Sequence, residues 1–211
     1  MLAKLTGFFR HEDKDLLDNR WIFTSMLIGA IFSLIAAFVL SVEAIELAKN
    51  PNAQLTCSIN VIVNCATVAK HPSASLLGFP NSFLGMIAEP IVITVAIAGL
   101  AGVKFPRRFM FAAQIGYAIG LVFAYWLFYM SMFVIQALCP WCLLVTLSTT
   151  FVFFSMTRYN IREENLYLSD TMQKRAKRFI TKDYDKLVLT ALVVIMIAGI
   201  ILKYGSDLFA Q

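Results

Sequence analysis

Residues 109–156 read FMFAAQIGYAIGLVFAYWLFYMSMFVIQALCPWCLLVTLSTTFVFFSM, a stretch with no charged side chain, interrupted only at Cys139-Pro140-Trp141-Cys142. A helix rises about 1.5 Å per residue and needs roughly 17 to 25 apolar residues to cross a bilayer. The stretch therefore divides into two spans, 109–138 and 139–156, meeting at the cysteine pair. Outward from it, further apolar runs cover 21–42, 83–103 and 187–202, the last flanked by Lys186 and Lys203, whose stems can snorkel. Hydrocarbon offers no water to backbone groups, so runs without strand-like alternation must be helical. The polar tail 1–20 and the length of the first run favour a span there over a signal peptide. The expected fold is an all-α integral membrane protein with five transmembrane helices. A hydrophobic content of 59%, a charged content of 15% and a mean hydropathy of +0.73 exclude an ordinary soluble domain.

Of the 18 Lys and Arg residues, all but Lys49, Lys70 and Lys203 fall in 1–20, 104–108 or 158–186. Cytoplasmic connections retain positive charge, which puts the N-terminus in the cytoplasm and the C-terminus outside. The net charge of +5 is then a matter of topology, and no nucleic-acid partner is implied. The chain divides into a cytoplasmic tail (1–20), a bundle (21–157) with an extracytoplasmic loop (43–82), a basic cytoplasmic linker with an amphipathic helix (158–186), and a fifth helix with a short outer tail (187–211). His11 falls in the inner tail and His71 in the outer loop, which suits neither a catalytic base nor a metal site.

This topology gathers all four cysteines, Cys57, Cys65, Cys139 and Cys142, on the extracytoplasmic side, where disulfide chemistry is permitted. Pro140 suits the first turn of a helix, which makes Cys139 the expected N-cap of the fourth span. Amides at a helix start stabilise a thiolate, so Cys139 is the expected exchanging sulfur. Cys142, three residues on, lies roughly 4.5 Å deeper by helical rise, toward a lipid-soluble oxidant. Two structural disulfides are an alternative, although one closing so small a loop constrains the unfolded chain little. A four-cysteine zinc site is disfavoured because C-x7-C does not match the usual spacing, and no metal is expected. Within the loop, 59–70 is expected to form a short helix, and Asn81, after the break at Gly78-Phe79-Pro80, to cap the second span.

Cys57-Ser58-Ile59-Asn60, Asn64-Cys65, Leu77-Gly78-Phe79-Pro80-Asn81-Ser82-Phe83-Leu84-Gly85 and Cys139-Pro140-Trp141-Cys142 together resemble the vitamin K epoxide reductase family, especially its bacterial members. The resemblance extends over about 21–156. It implies a four-helix bundle around a quinone, menaquinone or ubiquinone, in a prokaryotic plasma membrane. It also implies roles: Cys57 meets an extracytoplasmic thioredoxin-fold protein, Cys65 forms a transient bridge to Cys139, and Cys142 faces the quinone. Asn81 matches the family asparagine that hydrogen-bonds a quinone carbonyl, and Ser75 a loop serine. The implied activity is quinone-dependent reoxidation of that partner, a separate protein, in support of disulfide formation. Reduction of vitamin K epoxide or quinone for its own sake and a non-catalytic scaffold are the alternatives. Animal members carry a quinone-contacting tyrosine where Thr146 stands here.

Glu89 belongs to no family motif. It lies about 12 Å into the second span by helical rise and precedes Pro90. A charge at the centre of a span costs roughly 3 kcal/mol, so this carboxyl is expected to be protonated, paired or facing a polar cavity. Quinone reduction consumes two protons, which makes Glu89 a candidate proton relay.

Overall fold

A computed structural model describes residues 14–209. The tail positions Lys4, Arg10 and His11 lie outside the described residues. Five helices are long and apolar enough to cross a membrane, as the uncharged runs predict. They are α1 (Lys14–Lys49), α3 (Ser82–Leu100), α4 (Arg107–Tyr129), α5 (Pro140–Arg162) and α7 (Tyr184–Phe209), with short helices α2 (Cys65–Lys70) and α6 (Asp170–Thr181) between them.

The first helix continues past the hydrophobic run. Glu43, Ala44, Glu46, Leu47, Ala48 and Lys49 are good helix formers, and Lys49 suits the negative end of the dipole, so α1 runs on until Asn50-Pro51. The loop expected to begin at residue 43 therefore leaves the helix only at residue 50. The following helix is shorter than expected. Only Cys65–Lys70 of 59–70 is helical, because residues 62–64 pair with Leu138 instead.

Helix α1 packs along both α3 and α5, and α5 packs along α4, whereas α3 and α4 scarcely touch. Lipid tails provide no hydrophobic drive between helices, so close approach rests on small side chains. Gly85 allows α3 to meet Ala37 of α1: an added Cβ would lie 2.8 Å from that methyl. Gly29 of α1 faces Val152 of α5 in the same way. Gly99 lies under the ring of Phe23, which is buried among Met26, Val95 and Tyr159, its centroid 4.9 Å from that of Tyr159.

Two polar assemblies hold the end of the bundle remote from the cysteines. Asn160 of α5 donates to Gln114 of α4 (2.9 Å), which donates to Thr157 (2.9 Å), and Asn165 donates back to Asn160 (3.0 Å). Arg158 pairs with Asp18 of α1 (3.0 Å), Asp183 (3.0 Å) and Asp185 of α7 (2.9 Å). Arg158 is thus a half-buried junction of three spans, where the sequence placed it in a solvated linker. The expected amphipathic helix is α6, which buries Ile180 and exposes Lys174, Arg175 and Arg178.

At the cysteine end the third span does not exit straight. After Tyr129 it widens into a π-helical turn, Met130–Ile135, and Gln136 takes a left-handed conformation. Residues 137 and 138 then lead to Cys139. The widened turn presents the Met132 carbonyl to α7, where Tyr204 Oη donates to it (2.7 Å) alongside the Lys203 ammonium. Lys203, expected to snorkel, is held here.

Replacing Gly99 by Ala should push Phe23 out of its site at a cost of roughly 1–3 kcal/mol. The thermal unfolding midpoint in detergent should fall. Gly199→Ala, whose Cβ would meet nothing within 4 Å, should leave it unchanged or raise it.

Candidate functional site

The site begins with a seam of backbone hydrogen bonds. Asn60 Oδ1 accepts from the amides of Ile62 (3.0 Å) and Val63 (2.6 Å), closing a tight turn whose Val63 carbonyl accepts from the Ile59 amide (2.9 Å). The strand leaving that turn runs parallel to the segment before α5. The Leu138 amide donates to the Ile62 carbonyl (2.7 Å), and the Asn64 amide to the Leu138 carbonyl (3.0 Å). Asn64 then caps α2 by accepting from the Thr67 amide (3.0 Å). Cys65 begins α2 immediately after one edge of this seam, and Cys139 follows the other.

Cys57 and Cys65 are joined in a disulfide, whereas Cys139 and Cys142 are free thiols. Cys139 Sγ lies 3.3 Å from Cys65 Sγ, in contact with the disulfide it faces. Cys139 is the N-cap of α5, as Pro140 predicts, and its sulfur accepts from the Cys142 amide (3.3 Å). A hydrogen bond from the Cys142 thiol, helped by the Cys142 and Trp141 amides, holds the Cys139 thiol below its ordinary range, against burial and the nearby Glu43 carboxyl. A lowered pKa makes Cys139 a better leaving sulfur in exchange.

Helix position suggested that Cys139 would be the more exposed of the pair. The burial is the reverse. The docked loop covers Cys139, leaving it 1% exposed, while Cys142 is only half-buried and faces a cavity. The sulfurs of Cys57, Cys65 and Cys139 lie within 4.8 Å of one another. Two of them form a disulfide, which has no thiolate to offer a metal.

A cavity of about 810 Å³ is lined by residues of α3 and α4, the two spans that scarcely touch, together with α1 and α5. Its wall is mostly aliphatic and aromatic, with Cys142, Ser75 and Asn81 at the cysteine end and Glu89 and Tyr117 further along the spans. Asn81 stands at the start of α3 but does not cap it. Its helical backbone turns the side chain back into the loop, where Nδ2 donates to the Ser73 carbonyl (2.6 Å) and Oδ1 accepts from the Leu76 amide (3.2 Å). One Nδ2 hydrogen is left for the cavity. Ser75 ends a 3-10 turn, Pro72–Ser75, at the rim, and His71 is engaged locally with Ser73 Oγ (2.8 Å).

Glu89 is 4% exposed and satisfied by two neighbouring helices. Ser33 Oγ of α1 donates to it at 2.8 Å, and Tyr117 Oη of α4 lies 3.2 and 3.3 Å from its two oxygens. Neither Tyr117 nor Ser33 stands out in the sequence. A carboxyl in a neighbouring span was the only signal for either. Thr146 is buried beside Cys142, donating to its carbonyl (2.9 Å), and gives this part of the wall no phenol.

A quinone fits these surroundings chemically. Apolar walls suit its ring and chain, and the polar groups of Asn81 and Glu89 suit carbonyl oxygens within an otherwise apolar cavity. A search among curated proteins returns no match. The profile of the vitamin K epoxide reductase family matches residues 24–157, from α1 to near the end of α5. The match takes in the disulfide, the seam, the cavity and both free thiols, and the chain belongs to the vitamin K epoxide reductase family.

Proposed function

We propose that the protein is a membrane thiol:quinone oxidoreductase that reoxidises an extracytoplasmic thioredoxin-fold protein and so supports disulfide formation. Membership of the family supports oxidoreductase chemistry of this kind. The observation that carries the finer reading is the contact of Cys139 Sγ with Cys65 Sγ at 3.3 Å, together with Cys142 on the cavity wall.

The exchange proceeds in three moves. A thiolate of the partner attacks Cys57 Sγ, the Cys57–Cys65 bond breaks, and the partner's second thiol completes its own disulfide. Cys65 then attacks Cys139 of an oxidised Cys139–Cys142 pair, forming the Cys65–Cys139 bridge and releasing Cys142. Cys57 attacks Cys65, restoring the loop disulfide and leaving Cys139 and Cys142 reduced, the arrangement of sulfurs in the structure. A bound quinone supplies an acceptor for two electrons and two protons. Asn81 would hold and orient it, Cys142 would stand on the wall facing it, and Ser75 would lie near its entrance. The apolar wall excludes water that would otherwise compete for the donors.

Glu89 acts as the proton relay on the cavity wall. Ser33 and Tyr117 keep its carboxyl aimed along the wall and allow a proton to be held there. The cysteine face lies on the extracytoplasmic side of a prokaryotic plasma membrane, in keeping with the distribution of basic residues.

Purified protein in detergent should catalyse hydroquinone formation from a dithiol and menaquinone or ubiquinone, followed by absorbance. Cys142→Ser should abolish it, and an unchanged rate in that variant would refute the assignment. Glu89→Gln should lower the rate at least about tenfold and remove the fall in rate that a proton-donating carboxyl imposes as pH rises, since proton transfer by a positioned side chain contributes about 10²–10⁴-fold. Loop disulfide exchange should stay intact in that variant. Unchanged turnover at every pH would exclude the relay.

A further inference from the structure

We propose that Glu43 is a catalytic acid and base for Cys57, holding the one proton that Cys57 gains and loses in each cycle. The inference rests on the exchange reading above. Glu43 lies on the extension of α1 beyond the hydrophobic run, is 5% exposed, and points at the disulfide. Its Oε1 and Oε2 are each 3.5 Å from Cys57 Sγ, the separation of a thiol donating to a carboxylate. Thr56 Oγ1 fixes the carboxyl by donating to Oε1 (2.9 Å). Among the described residues no Lys or Arg forms an ion pair with Glu43. The other titratable groups acting on this neighbourhood are Glu46 on the same helix and the Cys139 and Cys142 thiols at the start of α5.

A buried carboxyl without a cation is costly, and burying it against a sulfur gains little unless that sulfur carries a proton at some stage. Cys57 does so once in each cycle, gaining the proton in one step and losing it in another. When the partner's second thiolate displaces it, the partner's S–S bond forms, the bond from the partner to Cys57 breaks, and Cys57 leaves with the electron pair. The protonated Glu43 then supplies the proton. When Cys57 later attacks Cys65, the Cys57–Cys65 bond forms and the Cys65–Cys139 bond breaks with its electron pair going to Cys139. The Cys57 proton returns to the Glu43 carboxylate. One proton passes back and forth, and no further reactant is needed.

The test is Glu43→Gln in the full chain in detergent, driven by a dithiol and a soluble quinone, with acid quench, alkylation and mapping of the disulfides. Turnover at neutral pH should fall at least tenfold. The Cys65–Cys139 bridged species should accumulate above its level in the unmodified protein because Cys57 is slow to attack. The deficit should close as the pH passes about 8.5, where an ordinary thiol ionises unaided. An unchanged rate, or a deficit that is the same at every pH without the bridged species, would overturn the role of Glu43. Should the Gln variant not fold, Glu43→Asp, with a carboxyl too short to reach Cys57, must show the same accumulation. Failure of the unmodified protein to oxidise dithiols would instead sink the exchange reading, and this proposal with it.

Discussion

Everything at the active end depends on two backbone hydrogen bonds, from Leu138 to Ile62 and from Asn64 to Leu138. They are the only strand-like pairing among the described residues. Without them the loop would keep its side-chain contacts with α1, such as Thr56 to Glu43, but no backbone bond would set Cys65 against Cys139. With them Cys65 sits at 3.3 Å, so the proposed exchange within the chain would start from contact rather than from a search. The pairing also explains the break in the third span. A regular helix to residue 138 would spend the Leu138 amide on its own carbonyls, whereas the π-helical turn and the left-handed Gln136 release the chain into an extended course. Tyr204 and Lys203 of α7 take up the Met132 carbonyl of that turn, so the fifth helix supports the site without lining the cavity.

The cavity follows from how the helices share contacts. Helix α1 is the common partner of α3 and α5, held close by Gly29 and Gly85, and α5 carries α4. The pair left unjoined, α3 and α4, bounds an apolar cavity, with Cys142 at one end and Glu89 on its wall. Asn160, Gln114 and the Arg158 junction close the remote end, so polar cohesion is concentrated where the cavity does not need to open. In the proposed function, exchange under the loop and an acceptor in the cavity would meet at one helix start, where Cys139 and Cys142 are a single turn apart.

The parts legible in the sequence are those set by local pattern. Apolar runs, charged only at Glu89, mark the five spans, Pro140 marks the start of α5 with Cys139 as its cap, and the four cysteines stand out between those runs. The rest depends on distant partners. Nothing around Val63 foretells its pairing with Leu138, because the bond lies between backbones and is indifferent to side chains. Asn81 has the residue type of a cap, yet its helical backbone sends the amide into the loop. Glu43 was hidden by a boundary: hydropathy ends at Val42, while helix propensity carries α1 two turns further and buries the carboxyl against Cys57. Glu89 was conspicuous as a charge within a span, but Ser33 and Tyr117, which satisfy it, carried no mark of their own.

The central claim is that Cys65 and Cys139 are the pair through which loop and helix exchange electrons. It is tested most directly by leaving those two as the only cysteines, in Cys57→Ser with Cys142→Ser, and oxidising the protein mildly in detergent. Alkylation followed by mass mapping of linked peptides then reads the result. The account predicts nearly complete Cys65–Cys139 bridging under conditions that just form the Cys57–Cys65 disulfide in the unmodified chain. Two thiols that remain fully open to alkylation would contradict it.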